Sequence, residues 1–236
     1  MGLLENYFGG KNFIVAGMGT GQGMATAKLI EKLGGHVIAL SRTGRSTSGK
    51  HENIESMRCD MGNLQDVKNV SNEIKNRGFK INGIVNNAGK WENSSEKLVS
   101  PEKMLDFFMA NVNTQYTVMM GLAENMSENS SIVNIGASEN LLKINNSGYS
   151  VSKYAIEELT RIAASGLKDR RIRVNAVLPG SVHKEDNFEE KYPYSFKDGD
   201  VFLEPLEIAY VSIFLLSPLS HAINGQCITS DRGMGL

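Results

Sequence analysis

The sequence predicts a single α/β domain, a doubly wound parallel sheet of about seven strands with helices on both faces. Three observations carry this reading. Short apolar runs alternate with helical periods from one end of the chain to the other. The first run feeds a glycine-rich turn that opens a helix. The 236 residues show no linker, repeat or low-complexity tract, and one large core can hold a chain of this length.

The elements follow in order. Phe13–Ala16 is a short apolar strand. Ala16-Gly17-Met18-Gly19-Thr20-Gly21-Gln22-Gly23 leads from it into the helical period Met24–Leu33. Such a turn brings backbone N–H groups and a helix N-terminus up to an anion, so it is read as a nucleotide phosphate site. Val37–Leu40, Ile54–Cys59, Gly83–Asn86, Ile132–Ile135, Arg173–Val177 and Gln226–Thr229 are the remaining strands. Each is short, apolar and bounded by polar residues or glycine, as strands buried on both faces should be. Helical periods separate them at Leu64–Lys75, Met104–Met126, Tyr154–Leu167 and Pro205–Leu216. Residues 181–204 break the rhythm: they are charged, with Phe188, Tyr192, Tyr194, Phe196 and Phe202 interspersed. A long irregular insert at the carboxyl edge of such a sheet reads as a substrate-covering lid within the one domain, 1–236.

Composition excludes several functions. A net charge of −1 with scattered basic residues predicts no nucleic-acid partner. No apolar run approaches the ~18 residues that span a bilayer, so no membrane partner is expected. The stretch Met1–Asn6 lacks a basic region and a long apolar core, so no signal peptide is expected and the cytoplasm is the expected location. Cys59 and Cys227 lie far apart, and His36, His51, His183 and His221 show no ligand spacing, so no metal site is expected.

Chemistry enters at Tyr149-Ser150-Val151-Ser152-Lys153. Residues four apart share a helix face, so phenol and ammonium can point at one place. A nearby ammonium favours phenolate and lowers a tyrosine pKa, which suits Tyr149 as a general acid and base toward a carbonyl or alcohol.

With that motif the chain resembles the short-chain dehydrogenase/reductase family over nearly its full length. The residues that carry the resemblance are Gly17-x-x-x-Gly21-x-Gly23, Asp60, Asn86-Asn87-Ala88-Gly89, Asn111, Ile132-Val133-Asn134-Ile135, Tyr149-x-x-x-Lys153, Arg173 to Gly180, Gly225-Gln226 and Asp231. The resemblance implies a Rossmann-type fold and an NAD(P)-dependent oxidoreductase that interconverts a small-molecule carbonyl and a secondary alcohol. It implies Tyr149 as proton donor or acceptor, Lys153 as the group that lowers its pKa and bonds the nicotinamide ribose, and Asn111 as the holder of a relay water. It implies a cofactor site made of Gly17, Gly19, Thr20, Gly21, Gln22, Gly23, Ser41, Arg42, Thr43, Asp60, Met61, Asn87, Ala88, Gly89, Tyr149, Lys153, Pro179, Gly180 and Val182. It also implies a homo-oligomer, dimer or tetramer, through the long fourth and fifth helices.

Two departures matter. The family strand usually ends in two small residues of which the second is the catalytic serine. Here it reads Ile135-Gly136-Ala137-Ser138, which puts Ala137 in that place unless a local bulge brings Ser138 into register. Ser138 is taken as the acting donor. The displaced serine also supports a different class, a nucleotide-binding sensor or scaffold without turnover, while the intact Tyr149–Lys153 pair argues for the enzyme. Enoyl reductases of this family space their Tyr and Lys further apart. The second strand ends Leu40-Ser41-Arg42-Thr43 with no acidic residue to bond a ribose 2′-hydroxyl. Arg42, with Ser41 and Thr43, faces a 2′-phosphate instead, so NADP(H) is favoured over NAD(H). Lys184 stands near the place of a threonine that in the family often touches the cofactor.

Overall fold

The computed structural model describes residues 4, 7–44, 51–184 and 202–234. Its main sheet holds β1 (Asn12–Ala16), β2 (His36–Ser41), β3 (Ile54–Arg58), β4 (Ile81–Asn86), β5 (Met126–Ile135), β6 (Arg173–Pro179) and β9 (Cys227–Ser230). The strand order is β3-β2-β1-β4-β5-β6-β9, and every neighbouring pair is parallel. A two-stranded ribbon, β7 (Ser181–Val182) with β8 (Phe202–Leu203), lies outside it. The helices are α1 (Gln22–Lys32), α2 (Leu64–Asn76), α3 (Pro101–Phe108), α4 (Thr114–Leu122), α5 (Glu139–Ile144), α6 (Ser147–Gly166) and α7 (Pro205–Leu216).

Side chains alternate across a strand, so β1 feeds two cores. Phe13 and Val15 join Ala27, Ile30, Ile208 and Ile213 on the α1–α7 face. Ile14 and Ala16 join Val67, Ile74, Val118 and Leu122 on the α2–α4 face. The chain leaves β1 in one direction for β2 and β3 and returns on the other side as β4. Ligands of open α/β sheets bind at such a reversal, beyond the carboxyl ends of the strands.

The single helix expected over Met104–Met126 is interrupted. A π turn, Met109–Asn113, separates α3 from α4, and a 3₁₀ turn, Ala123–Asn125, ends the run. The π turn sits where the Asn111 amide is fixed by partners outside its own helix. The fifth strand starts at Met126, earlier than expected, because Met126 pairs with Ile81 before a register shift and a positive φ of 60° at Asn129. The polar residues Ser127-Glu128-Asn129 hid that start. Of the expected lid, residues 185–201 lie outside the described residues, including Phe188, Tyr192, Tyr194 and Phe196.

Candidate active site

The turn after β1 is built for close approach. Gly17 has a φ of +90°, and a Cβ there would stand 2.4 Å from the Ala88 nitrogen. A Cβ on Gly23 would meet the Gly17 carbonyl oxygen at 2.8 Å. Asn87 closes the same corner, its Nδ2 donating to the Gly17 carbonyl at 2.9 Å. At Gly21, the N-cap of α1, no side chain caps the helix, and its first turn holds no acidic residue. The free N–H groups and the positive helix end therefore face the groove beside them.

That groove has a volume of about 1410 Å³. Gly17, Gly19, Thr20, Gly21, Gln22, Gly23, Ser41, Arg42, Thr43, Asp60, Met61, Asn87, Ala88 and Gly89 line it. A smaller cavity of about 260 Å³ continues from it. Tyr149, Lys153, Pro179, Gly180 and Val182 line that cavity, with Gly21, Gln22, Asn87 and Gly89 shared between the two. The expected cofactor residues thus surround one continuous space. The residues present fit a dinucleotide: an uncapped helix end for phosphate, a glycine cradle that no Cβ could share, and a buried Gln22 Oε1 with no hydrogen-bond partner.

The reacting end is set by α6. Asn146 caps this helix by accepting from the Tyr149 N–H at 2.9 Å, which fixes the turn that carries the phenol. The Tyr149 ring is buried and packs edge-on against Phe107, with centroids 6.4 Å apart. One turn on, Lys153 donates from Nζ to the Ile135 carbonyl at 2.9 Å. Burial pushes the Tyr149 phenol up to about 12 and the Lys153 ammonium down to about 8. The expected lowering of the tyrosine by its lysine is not seen here: burial is the cause of both shifts, and it opposes both charged forms. A phenol held this high is protonated at neutral pH.

Asn111 lies behind this pair and lines neither cavity. Its Oδ1 accepts from the Lys90 N–H at 2.6 Å, and its Nδ2 donates to Ser152 Oγ at 2.8 Å. Ser152 Oγ in turn donates to the Tyr149 carbonyl at 2.9 Å. The amide of Asn111 thereby ties the loop after β4 to the first turn of α6. Sequence reasoning did not single out Ser152, although its place inside Tyr149-x-x-Ser152-Lys153 was a signal. It also passed over Lys90, Trp91 and His183, which line the small cavity.

Ser138, the expected donor, is engaged in a helix cap. It is fully buried and serves as N-cap of α5, its Oγ accepting from the Leu141 N–H at 3.4 Å. Ala137 lines the cavity beside Tyr149, and Ser138 is not among the lining residues. The helix Glu139–Ile144 was not expected from sequence, and its demand for a cap is what holds the serine. At the nucleotide end, Ser41 Oγ accepts from the Gly44 N–H at 3.1 Å, while Arg42 and Thr43 face the groove.

The family described as Enoyl-(Acyl carrier protein) reductase matches residues 17–235. The chain belongs to the short-chain dehydrogenase/reductase family. Carbonyl reductase family member 4 of Danio rerio is 30% identical over 237 residues, spanning 94% of this chain and 97% of that protein. The 3-oxoacyl-[acyl-carrier-protein] reductase of Mus musculus is 28% identical, spanning 94% and 97%. A short chain dehydrogenase family protein from Francisella tularensis has a solved structure that superposes with a TM-score of 0.78. It is 30% identical, with 95% of this chain and 98% of that chain covered. This short-chain dehydrogenase/reductase is an oxidoreductase for alcohol or carbonyl substrates, from a family that uses NAD(P). Among the described residues no helix is long and apolar enough to cross a membrane, and no cluster of His, Cys, Asp or Glu could hold a metal ion.

Proposed function

We propose that this protein is an NADP(H)-preferring reductase of a small carbonyl compound, with Tyr149 as the proton donor. The observation that carries the reading is the joined space: the glycine groove opens into a cavity whose wall holds both Tyr149 and Lys153. A dinucleotide held by the glycine turn 17–23 in the groove would supply the hydride. The Tyr149 phenol gives its proton to the carbonyl oxygen. Lys153 stands four residues on along the same helix and favours the phenolate that remains. Asn111 and Ser152 hold the phenol-bearing turn against the loop after β4. In the oxidative direction the same groups run in reverse.

Ala137 stands at the cavity wall, so Tyr149 acts without a serine hydroxyl from the end of β5. Arg42 beside Thr43 and the lack of a carboxylate at the end of β2 support the 2′-phosphate of NADP(H). The test is titration of NADPH and NADH at fixed salt, followed by cofactor oxidation with a panel of carbonyls. NADPH should bind at least tenfold more tightly.

The working form is a homo-oligomer. Leu105, Tyr116 and Met120 on α3 and α4, with Met109 between them, expose apolar surface along one stripe. Val151, Tyr154 and Ile162 form a second stripe on α6, which packs beside α3. Two free thiols, Cys59 buried and Cys227 half-buried, accord with a reducing cytoplasm.

A further inference from the structure

We propose that the substrate is a small carbonyl compound bearing an anionic group, held by the ammonium of Lys184 where it rests on Trp91 at the mouth of the cavity. The inference depends on the reductase reading above and adds the substrate class to it.

The charge on the cavity wall points this way. Lys90, Lys153, His183 and Lys184 line the cavity in front of Tyr149, and among the described residues no Asp or Glu lines it. Each of these basic side chains has a different engagement. Lys153 is turned to the Ile135 carbonyl. Lys90 is held by Asp106 at 3.1 Å, with Glu92 at 3.7 Å. His183 stacks on Phe202, and its Nε2 lies 3.9 Å from Glu204. Lys184 pairs with no carboxylate among the described residues; its Nζ stands 5.4 Å from the centre of the Trp91 ring.

A ring face attracts an ammonium but accepts no hydrogen bond of ordinary strength, so the three donors remain available to an incoming anion. Both partners are fastened. The indole N–H of Trp91 donates to Asn145 Oδ1 at 2.9 Å, which fixes the ring. The Lys184 carbonyl accepts from Thr20 Oγ1 at 3.3 Å, and the neighbouring His183 N–H donates to the Leu203 carbonyl at 3.0 Å. A cleft lined by one sign of charge concentrates ligands of the other sign. The volume of about 260 Å³ suits a compound of a few carbons beside the cofactor's reacting ring.

Lys184 lines the cofactor groove as well, so the cofactor's own phosphates are the competing source of the anion. The experiment separates the two. Short oxo acids of four to six carbons are compared with their methyl esters, using NADPH and the full chain. The expected kcat/KM for the acids exceeds that for the esters by about tenfold to a hundredfold, the worth of a hydrogen bond to a charged group. K184Q should bring the acid-to-ester ratio to near one through the KM of the acid, and K184R should keep the ratio. Should K184Q not fold, the wild-type ratio and K184R still decide.

Esters turned over as well as acids overturn the inference while the reductase reading stands. So does K184Q with the acid preference intact. A K184Q whose NADPH affinity falls, with the acid-to-ester ratio kept, assigns Lys184 to the cofactor and overturns it too. Protein that binds NADPH but turns over neither acids nor esters refutes the reductase reading and the inference with it.

Discussion

Replacing Lys153 with methionine should make the protein more stable at neutral pH while abolishing its chemistry. Lys153 is buried, and burial lowers its ammonium from 10.5 to about 8. At about 1.4 kcal/mol per unit, holding this charge in the fold costs on the order of 3 kcal/mol. Between pH 8 and 10.5 the unfolded chain binds more protons at this residue than the folded chain, so this residue's contribution to stability rises with pH across that window. Below pH 8 the cost is fully present. Methionine has similar volume and no charge, so the cost disappears. One hydrogen bond is lost, but the Ile135 carbonyl keeps the donor Gln115 Nε2 at 3.1 Å. That leaves a loss of about 1 kcal/mol. The expected net gain is about 2 kcal/mol at pH 6.5, shrinking to nothing or slightly below by pH 10. Denaturant unfolding of both proteins at several pH values reads it directly. A loss of stability at pH 6.5, or a difference that does not change with pH, would show that Lys153 is not a costly buried charge.

Three further outcomes follow from the same geometry. Arg42→Asp should reverse the preference from NADPH to NADH, and calorimetry showing equal affinities in the parent protein would sink that assignment. Ser138→Ala should cost about 1 kcal/mol of stability through the lost helix cap while turnover stays within about threefold, and Ala137→Ser should raise turnover. A drop of two to three orders of magnitude in Ser138→Ala would instead make Ser138 the oxyanion donor. Ile162→Lys or Met120→Lys should shift the protein to a smaller species in sedimentation, and an unchanged oligomer would remove these stripes from the interface.

Periodicity made the sheet legible, because strands buried on both faces read as short apolar runs and the glycine turn marks the first crossover. The cofactor groove was legible for a related reason: Gly17 and Gly23 are positions where backbone contact forbids a Cβ, and such constraints show in sequence. The interior of the long helix was less so. The π turn at Asn111 depends on partners at Lys90 and Ser152, 21 and 41 residues away, which no local pattern reports. The capping role of Ser138 was hidden for a similar reason. Its neighbours Glu139-Asn140-Leu141-Leu142 form only a single short helix, too brief for a period to emerge, yet that helix claims the hydroxyl. The titration of Tyr149 was also beyond sequence, since spacing gives the ammonium but not the depth of burial that raises the phenol.

The proposed proton donor is Tyr149, in a cavity beside the nucleotide groove. Single-turnover oxidation of bound NADPH by the best carbonyl substrate tests it most directly, in the parent protein and in Tyr149→Phe. The expected rate is at least about a hundredfold lower in the variant with NADPH affinity nearly unchanged, because the phenol moves the proton while the glycine groove holds the cofactor. A rate retained within about tenfold would mean that another group supplies the proton, and would contradict it.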